Sequence, residues 1–184
     1  MWLRMLLLGC VLSIFATLVT GCDPSSLAFF APLVLPKGDP DGKPYVGSRN
    51  VDQIRIEMLS FINTARDDKG LAPLGATNQL NSIAQLHSND MVENDFVGHT
   101  GSDGSTVDQR VGRYLTKPSF LGENVGAGFA EIEEAFDAFM EHTESRENIL
   151  SKQARQVGMG FAFSDDNNKL KDTVYVTMIF YTAE

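Results

Sequence analysis

The sequence predicts an α+β fold, a sandwich of helices packed on an antiparallel sheet. Two observations carry this: apolar residues recur at helical spacing through the first two thirds of the folded region, and β-branched and aromatic residues gather at its end. A third is the glycine-rich alternation in "VGMGFAFS", which leaves one strand face without side chains, open to the close approach of a helix.

The first helix starts at Asn50, which forms a capping-box pattern with Gln53. Ile54, Met58, Phe61, Ile62 and Ala65 carry it until Gly70 supplies a stop. After the turn "LAPLGAT", a second helix begins near Thr77 or Asn78 with Leu80, Ile83, Ala84, His87 and Met91 on one stripe. His87 is thus expected half-buried, satisfied by a backbone or side-chain partner. A third helix begins near Ala130, where Glu131, Glu133 and Glu134 suit the positive end of the helix dipole, with Ile132, Ala135, Phe136, Phe139 and Met140 on its apolar side. "VGMGFAFS" and "TVYVTMIFYT" then read as two strands joined through "DDNNKLKD" into an antiparallel hairpin.

Three regions precede or make up this domain. Residues 1–21 have the form of a secretion signal: one arginine, an apolar run from Met5 to Val19, then small residues. An uncleaved anchor helix is the rival, since the run approaches bilayer-spanning length. Val19-Thr20-Gly21-Cys22 resembles the bacterial lipobox, which makes Cys22 the first mature residue and the site of acylation, palmitate being one such chain. Residues 22–49 form a tether: five of the seven prolines lie there with Gly38, Gly42 and Gly47. Within it "SLAFFAPLVL" is apolar enough to lie on the domain or a membrane. "DPDG" at Asp39 begins like a calcium loop, but its twelfth position is Asn50, not the required glutamate. Residues 50–184 form one domain with one core.

Composition narrows the function. Cys10 leaves with the signal and Cys22 carries lipid, so no thiol remains for a disulfide, a thiolate metal site or a nucleophile. The net charge of −9, one unit more negative once Arg4 is removed, opposes nucleic-acid binding. The chain lacks G-x-S-x-G, H-E-x-x-H, a P-loop and a complete dinucleotide-binding glycine pattern. What remains is His99 in "FVGHTG", Glu123 in "LGENVGAG", and Glu141, His142, Glu144 and Ser145 in "FMEHTESRENIL". Imidazole and carboxylate groups from separate segments either bind a metal or exchange a proton near neutral pH. A glutamate such as Glu123, flanked by glycine and asparagine, equally suits a structural acceptor.

The segments "LNSIAQLHSNDMVENDFVGHTGSDGSTVDQRV", "GENVGAG", "AFDAFMEHTESRENIL", "VGMGFAF" and "YVTMIF", in this order, resemble the bacterial branch of the CAP superfamily, named for cysteine-rich secretory proteins, antigen five and pathogenesis-related proteins. The resemblance covers nearly all of residues 50–184. It implies a three-layer α-β-α sandwich and a cleft of two histidines and two glutamates that in some members holds zinc or another divalent metal. His99 matches the first histidine and Glu123 the first glutamate; Glu141 is the nearest residue to the second glutamate. The second histidine is Ser145 here, and His142, three residues earlier, shares a face with that position if the helix continues. His142 then replaces the lost ligand, occupies the second glutamate's neighbourhood, or is simply exposed. The family's tryptophan is Phe139, and its W-T-Q is Val176-Thr177-Met178. The lipobox, the tether, the absent nucleophile and the incomplete tetrad together point to a lipid-anchored protein of the bacterial cell envelope, facing periplasm or exterior, that binds a ligand or an envelope partner without established catalysis, and the resemblance implies a small apolar molecule as the ligand class. The alternatives are a metal-dependent hydrolase, with His99 and His142 holding a zinc-like ion and Glu123 as general base, and a purely structural envelope module.

Overall fold

The structure, a computed structural model, describes residues 50–165 and 167–184. The leader, the lipobox and the tether lie outside the described residues. Helices α1 (Val51–Asp67) and α2 (Asn78–Glu93) flank the two-residue strand β1 (Gly75–Ala76). A short helix α3 (Val107–Gly112) leads to strand β2 (Pro118–Phe129), followed by α4 (Ile132–Glu141), α5 (Thr143–Ile149), β3 (Gln156–Phe163) and β4 (Val174–Ala183). The sheet order is β1-β3-β4-β2, with β4 antiparallel to both of its neighbours and β1 parallel to β3.

Strand alternation sorts the side chains into two layers. Val157, Met159 and Phe161 of β3 and Val176, Met178 and Phe180 of β4 pack with Ile54, Met58 and Ile62 of α1, Phe139 of α4 and Ile149 of α5. On the other face Ile179 and Tyr181 pack with Leu80, Ile83 and Ala84 of α2 and Val111 of α3. Helices therefore cover both faces of the sheet, as a three-layer sandwich requires.

The bare face of β3 is where α2 lies down. A Cβ on Gly158 would fall 2.3 Å from the Leu80 backbone, and one on Gly160 would fall 2.3 Å from that of Ala84. At this approach the Ser88 hydroxyl donates to Gly160 O at 3.0 Å, and it lies 2.9 Å from Thr177 Oγ1, so a fully buried polar pair is satisfied.

The caps follow the sequence with two differences. Thr77 caps α2 as expected, accepting from the Leu80 amide. Asn50 caps α1 by accepting from Asp52 N at 3.0 Å, one residue short of the Gln53 position a capping box uses. The third expected helix ends at Glu141: His142 is extended, with ψ 124°, and α5 starts anew at Thr143. The helix therefore does not continue from 142 to 145, although His142 Nδ1 still lies 3.2 Å from Ser145 Oγ across the break.

Candidate functional site

The loop between α2 and α3 carries His99 and is tied down along its length. Gly98 O lies 2.8 Å from His87 Nε2. Asp90 on α2 accepts from the Ser102 amide at 2.9 Å and from the Ser102 hydroxyl, and Asp103 accepts from Ser105 N at 2.8 Å. Burial raises the Asp90 carboxyl, but the Ser102 and Asn94 hydrogen bonds outweigh it and hold the group below its usual range. Asp103 is pulled down to about 2, chiefly by its hydrogen bonds from Ser105.

Helix α3 then opens with a complete capping box, Thr106 with Gln109, which sets Arg110 in its second turn. Arg110 points inward and is 8% exposed. Its Nη1 donates to His99 O at 3.0 Å and to Ser105 O at 2.8 Å, and its Nη2 meets Glu123 Oε1 at 2.5 Å. Glu123 stands on β2 opposite Ile179, on the α2 and α3 face, and its other oxygen, Oε2, lies 2.9 Å from His99 Nδ1. The three residues close a ring: guanidinium to carboxylate, carboxylate to imidazole, and the imidazole residue's own carbonyl back to the guanidinium.

This ring fixes what each group can do. An ionised carboxylate only accepts, so His99 presents Nδ1–H to Glu123 and keeps Nε2 for the outside. The His99 side chain is 64% exposed and that of Glu123 is 2% exposed. Water reaches the imidazole and not the carboxylate. An imidazole oriented by a buried carboxylate is the arrangement that metal-ligating and proton-transferring histidines use.

The residues expected to complete a cleft lie on other elements. Glu141 ends α4, exposed, among the acidic side chains of Glu134 and Asp137, while its carbonyl accepts from Arg146 at 3.1 Å. His142 is exposed at the α4–α5 break. No hydrogen bond or ion pair joins Glu141 or His142 to His99, Glu123 or Arg110, and among the described residues no group of three or more histidine, cysteine, aspartate or glutamate side chains is placed to hold a metal. What touches the strand from α5 is Asn148: its amide donates to Glu123 O at 3.3 Å and to Asn124 Oδ1 at 2.9 Å. Asn124 in turn donates to Ser145 O at 3.0 Å. Gly122 makes this possible, because a Cβ there would fall 2.5 Å from the Asn148 side chain.

Arg110 is the functional residue that sequence reasoning missed. The S/T-x-x-Q pattern at Thr106–Gln109 was the available sign of a helix there, and a glutamate in an apolar segment called for a cation.

His87 is more deeply buried than expected, at 1% exposure, with Nε2 against Gly98 O and no hydrogen-bond partner for Nδ1. Burial, reinforced by the nearby Arg110 charge, lowers its pKa, so the folded protein holds the neutral imidazole. A depressed histidine pKa gives stability that is complete above the unfolded value of about 6.5 and lost as pH falls toward the folded value. Chemical denaturation between pH 8 and pH 5 is expected to show this loss, and His87→Gln to flatten the acid limb. An unchanged slope in His87→Gln would remove His87 as its cause.

Residues 59–180 match the cysteine-rich secretory protein family, CAP. The Bacillus subtilis (strain 168) protein YkwD is 25% identical over 115 residues, 62% of this chain and 45% of that protein. The chain therefore spans less than half the length of that relative. Among solved structures, an outer surface protein from Borrelia burgdorferi superposes with a TM-score of 0.66 at 18% identity, over 74% of this chain and 97% of that one. An extracellular protein containing an SCP domain from Bacillus anthracis does so with a TM-score of 0.60 at 22% identity, over 73% of this chain and 44% of that one. With two helical layers on one sheet and a family match across most of the domain, this chain belongs to the cysteine-rich secretory protein family.

Proposed function

We propose that this protein is a lipid-anchored, extracytoplasmic CAP-domain protein that binds a ligand or partner at the bacterial cell envelope and does not catalyse turnover. One observation carries the choice: Glu123, the carboxylate that a hydrolase reading needs as general base, is 2% exposed with both oxygens engaged. A general base must reach the proton it removes, directly or through one water. Glu123 instead holds Arg110 and aims His99. The leader, the Cys22 lipobox and the outer-surface and extracellular relatives support the envelope placement. Anchoring through Cys22 brings a membrane as the first partner, with an apolar small molecule or an envelope protein as the second.

A second reading has its own support in the exposed His99 Nε2. In it His99 holds a zinc-like ion through Nε2 with His142 as the further ligand, and Glu123 orients the imidazole. Native mass spectrometry of the exported chain, of Cys22→Ser and of His99→Ala separates the two. The binding reading expects acyl mass on the wild type that is lost in Cys22→Ser, and a lipid-sized or partner adduct with no metal. One zinc-like mass that disappears in His99→Ala would replace it with the metal reading.

A further inference from the structure

The two sides of the sheet are finished differently. Strand β3 is covered by β1 only at Gln156 and Val157, and side chains take over beyond it. Asn81 Oδ1 accepts from the Met159 amide at 2.9 Å and Gln85 Oε1 from the Phe161 amide at 3.2 Å, while Arg55 Nε and Gln85 Nε2 donate to the carbonyls of Met159 and Phe161. Strand β2, at the other side, has no such cover over its second half. Glu123 turns its carbonyl out to Asn148 of α5, and strand alternation turns the backbone groups of Val125 and Ala127 the same way. Among the described residues neither Val125 nor Ala127 has a partner for its outward amide and carbonyl, and both residues are half-buried. A row of unpaired backbone groups on an edge strand is a template for another chain.

We infer that the 125–127 edge of β2 is a docking site for an extended, basic peptide segment of a partner protein, which pairs with it as an added antiparallel strand. Asn148 at Glu123 closes one end of this edge and the register shift after Ala127 closes the other, so about five residues of the partner fit between them. Charge sets the partner's sign. Phe136 of α4 meets Phe61 of α1, and a Cβ on Gly126 would fall 3.2 Å from Phe139, so α4 lies under β2 with its far flank, away from α1, beside the free edge. Glu134, Ala138 and Glu141 hold that flank at helical spacing, and with Asp137 they line one open hollow. On the opposite face Phe96 packs with Val125 and Ala127. Residues opposite each other in an antiparallel pair share a face, so apolar residues of the partner match Val125 and Ala127, and the basic residues between them face α4. A second copy of this chain, with its net charge of −9, would bring the same acidic helix to the same strand. This surface goes beyond the envelope-binding reading and stands whether or not His99 binds anything.

The test follows the backbone amides of the full chain by NMR while three capped peptides are added in turn: Lys-Val-Lys-Val-Lys, Glu-Val-Glu-Val-Glu, and the lysine peptide N-methylated at both valines. In the free chain the Val125 and Ala127 amides are expected to exchange with solvent faster than those of Asn124 and Gly126, which face β4. The lysine peptide should shift and slow Val125 and Ala127 saturably while Met159 and Phe161 stay unmoved. The glutamate peptide should do neither, and N-methylation should abolish the effect because it removes the donors. Glu134→Gln with Glu141→Gln, both exposed positions, should weaken binding about tenfold at low ionic strength. Slow exchange at Val125 and Ala127 in the free chain would show the edge already covered and overturn the inference. It is equally overturned if the lysine peptide moves neither amide, if the glutamate peptide binds as well, or if the double variant binds unchanged. Equal binding of the N-methylated peptide would leave only attraction to the acidic helix and overturn it too.

Discussion

Arg110→Met is expected to lower the unfolding free energy by about 3–5 kcal/mol, the cost of leaving one member of a buried ion pair without its partner. Glu123 would keep only His99 and would sit 2% exposed with Oε1 unanswered. The same change takes the guanidinium from the carbonyls of His99 and Ser105, the latter keeping only its bond from the Gly101 amide, so the loop between α2 and α3 should loosen with it. Replacing both partners at once, Arg110→Met with Glu123→Leu, is expected to recover most of the loss, because apolar pairs of similar volume often match a buried ion pair. Urea denaturation of the four species gives the coupling directly. A single variant that costs under about 1 kcal/mol would place the pair in the class of surface ion pairs and deny it any role in holding the site.

Gly160→Ala is expected to be the other large effect. Its Cβ would stand 2.3 Å from the carbonyl carbon and oxygen of Ala84, backbone atoms that no rotamer change can move. Helix α2 must lift from β3, and Ser88 must lose its hold on Gly160 O and Thr177. Overpacking of side chains costs about 1–3 kcal/mol, and a backbone contact should lie at or above the top of that range. Gly98→Ala serves as the contrast. Nothing lies within 4 Å of its Cβ, and a change within about 0.5 kcal/mol is expected. Equal denaturation midpoints for the two variants would show that α2 does not rest on β3 as described.

The parts of the fold that were legible are those whose residues speak in a single period. Leu80, Ile83, Ala84, His87 and Met91 repeat at helical spacing, and α2 runs where they indicate. Val157, Met159 and Phe161 alternate with small residues, and β3 buries both faces, one under side chains and one under a helix backbone. Strand β2 was not legible, because "PSFLGENVGAGF" is read by no simple alternation. It is an edge strand with two register shifts, and the close approach of Asn148 to Gly122 keeps that position free of a side chain. Strand β1 is two residues long and exists through its pairing with β3. The break at His142 has no glycine or proline to announce it.

The site was legible in its chemistry and not in its wiring. His99 and Glu123 stand out as a histidine and a glutamate in segments otherwise poor in such groups, and the structure brings them within 2.9 Å. Arg110, which decides whether Glu123 acts as a base or as an anchor, looks like a surface residue in "VDQRVG". Its burial is a product of tertiary packing: the neighbouring Val111 of α3 packs with Ile179 and Leu121, and the guanidinium reaches Glu123 of β2. Glu141 and His142 illustrate the converse, since their chemistry fits a cleft while the ends of α4 and α5 leave them exposed.

The most direct test of the claim that Glu123 is an anchor is a crystal structure of the protein grown with excess zinc, with the metal located by its anomalous scattering. The account predicts that Glu123 stays bridged between Arg110 Nη2 and His99 Nδ1, and that any zinc at His99 Nε2 has no water within reach of the Glu123 carboxylate. A zinc ion held by His99 and His142, with Arg110 turned away and Glu123 hydrogen-bonded to a metal-bound water, would contradict it and make the hydrolase the better account.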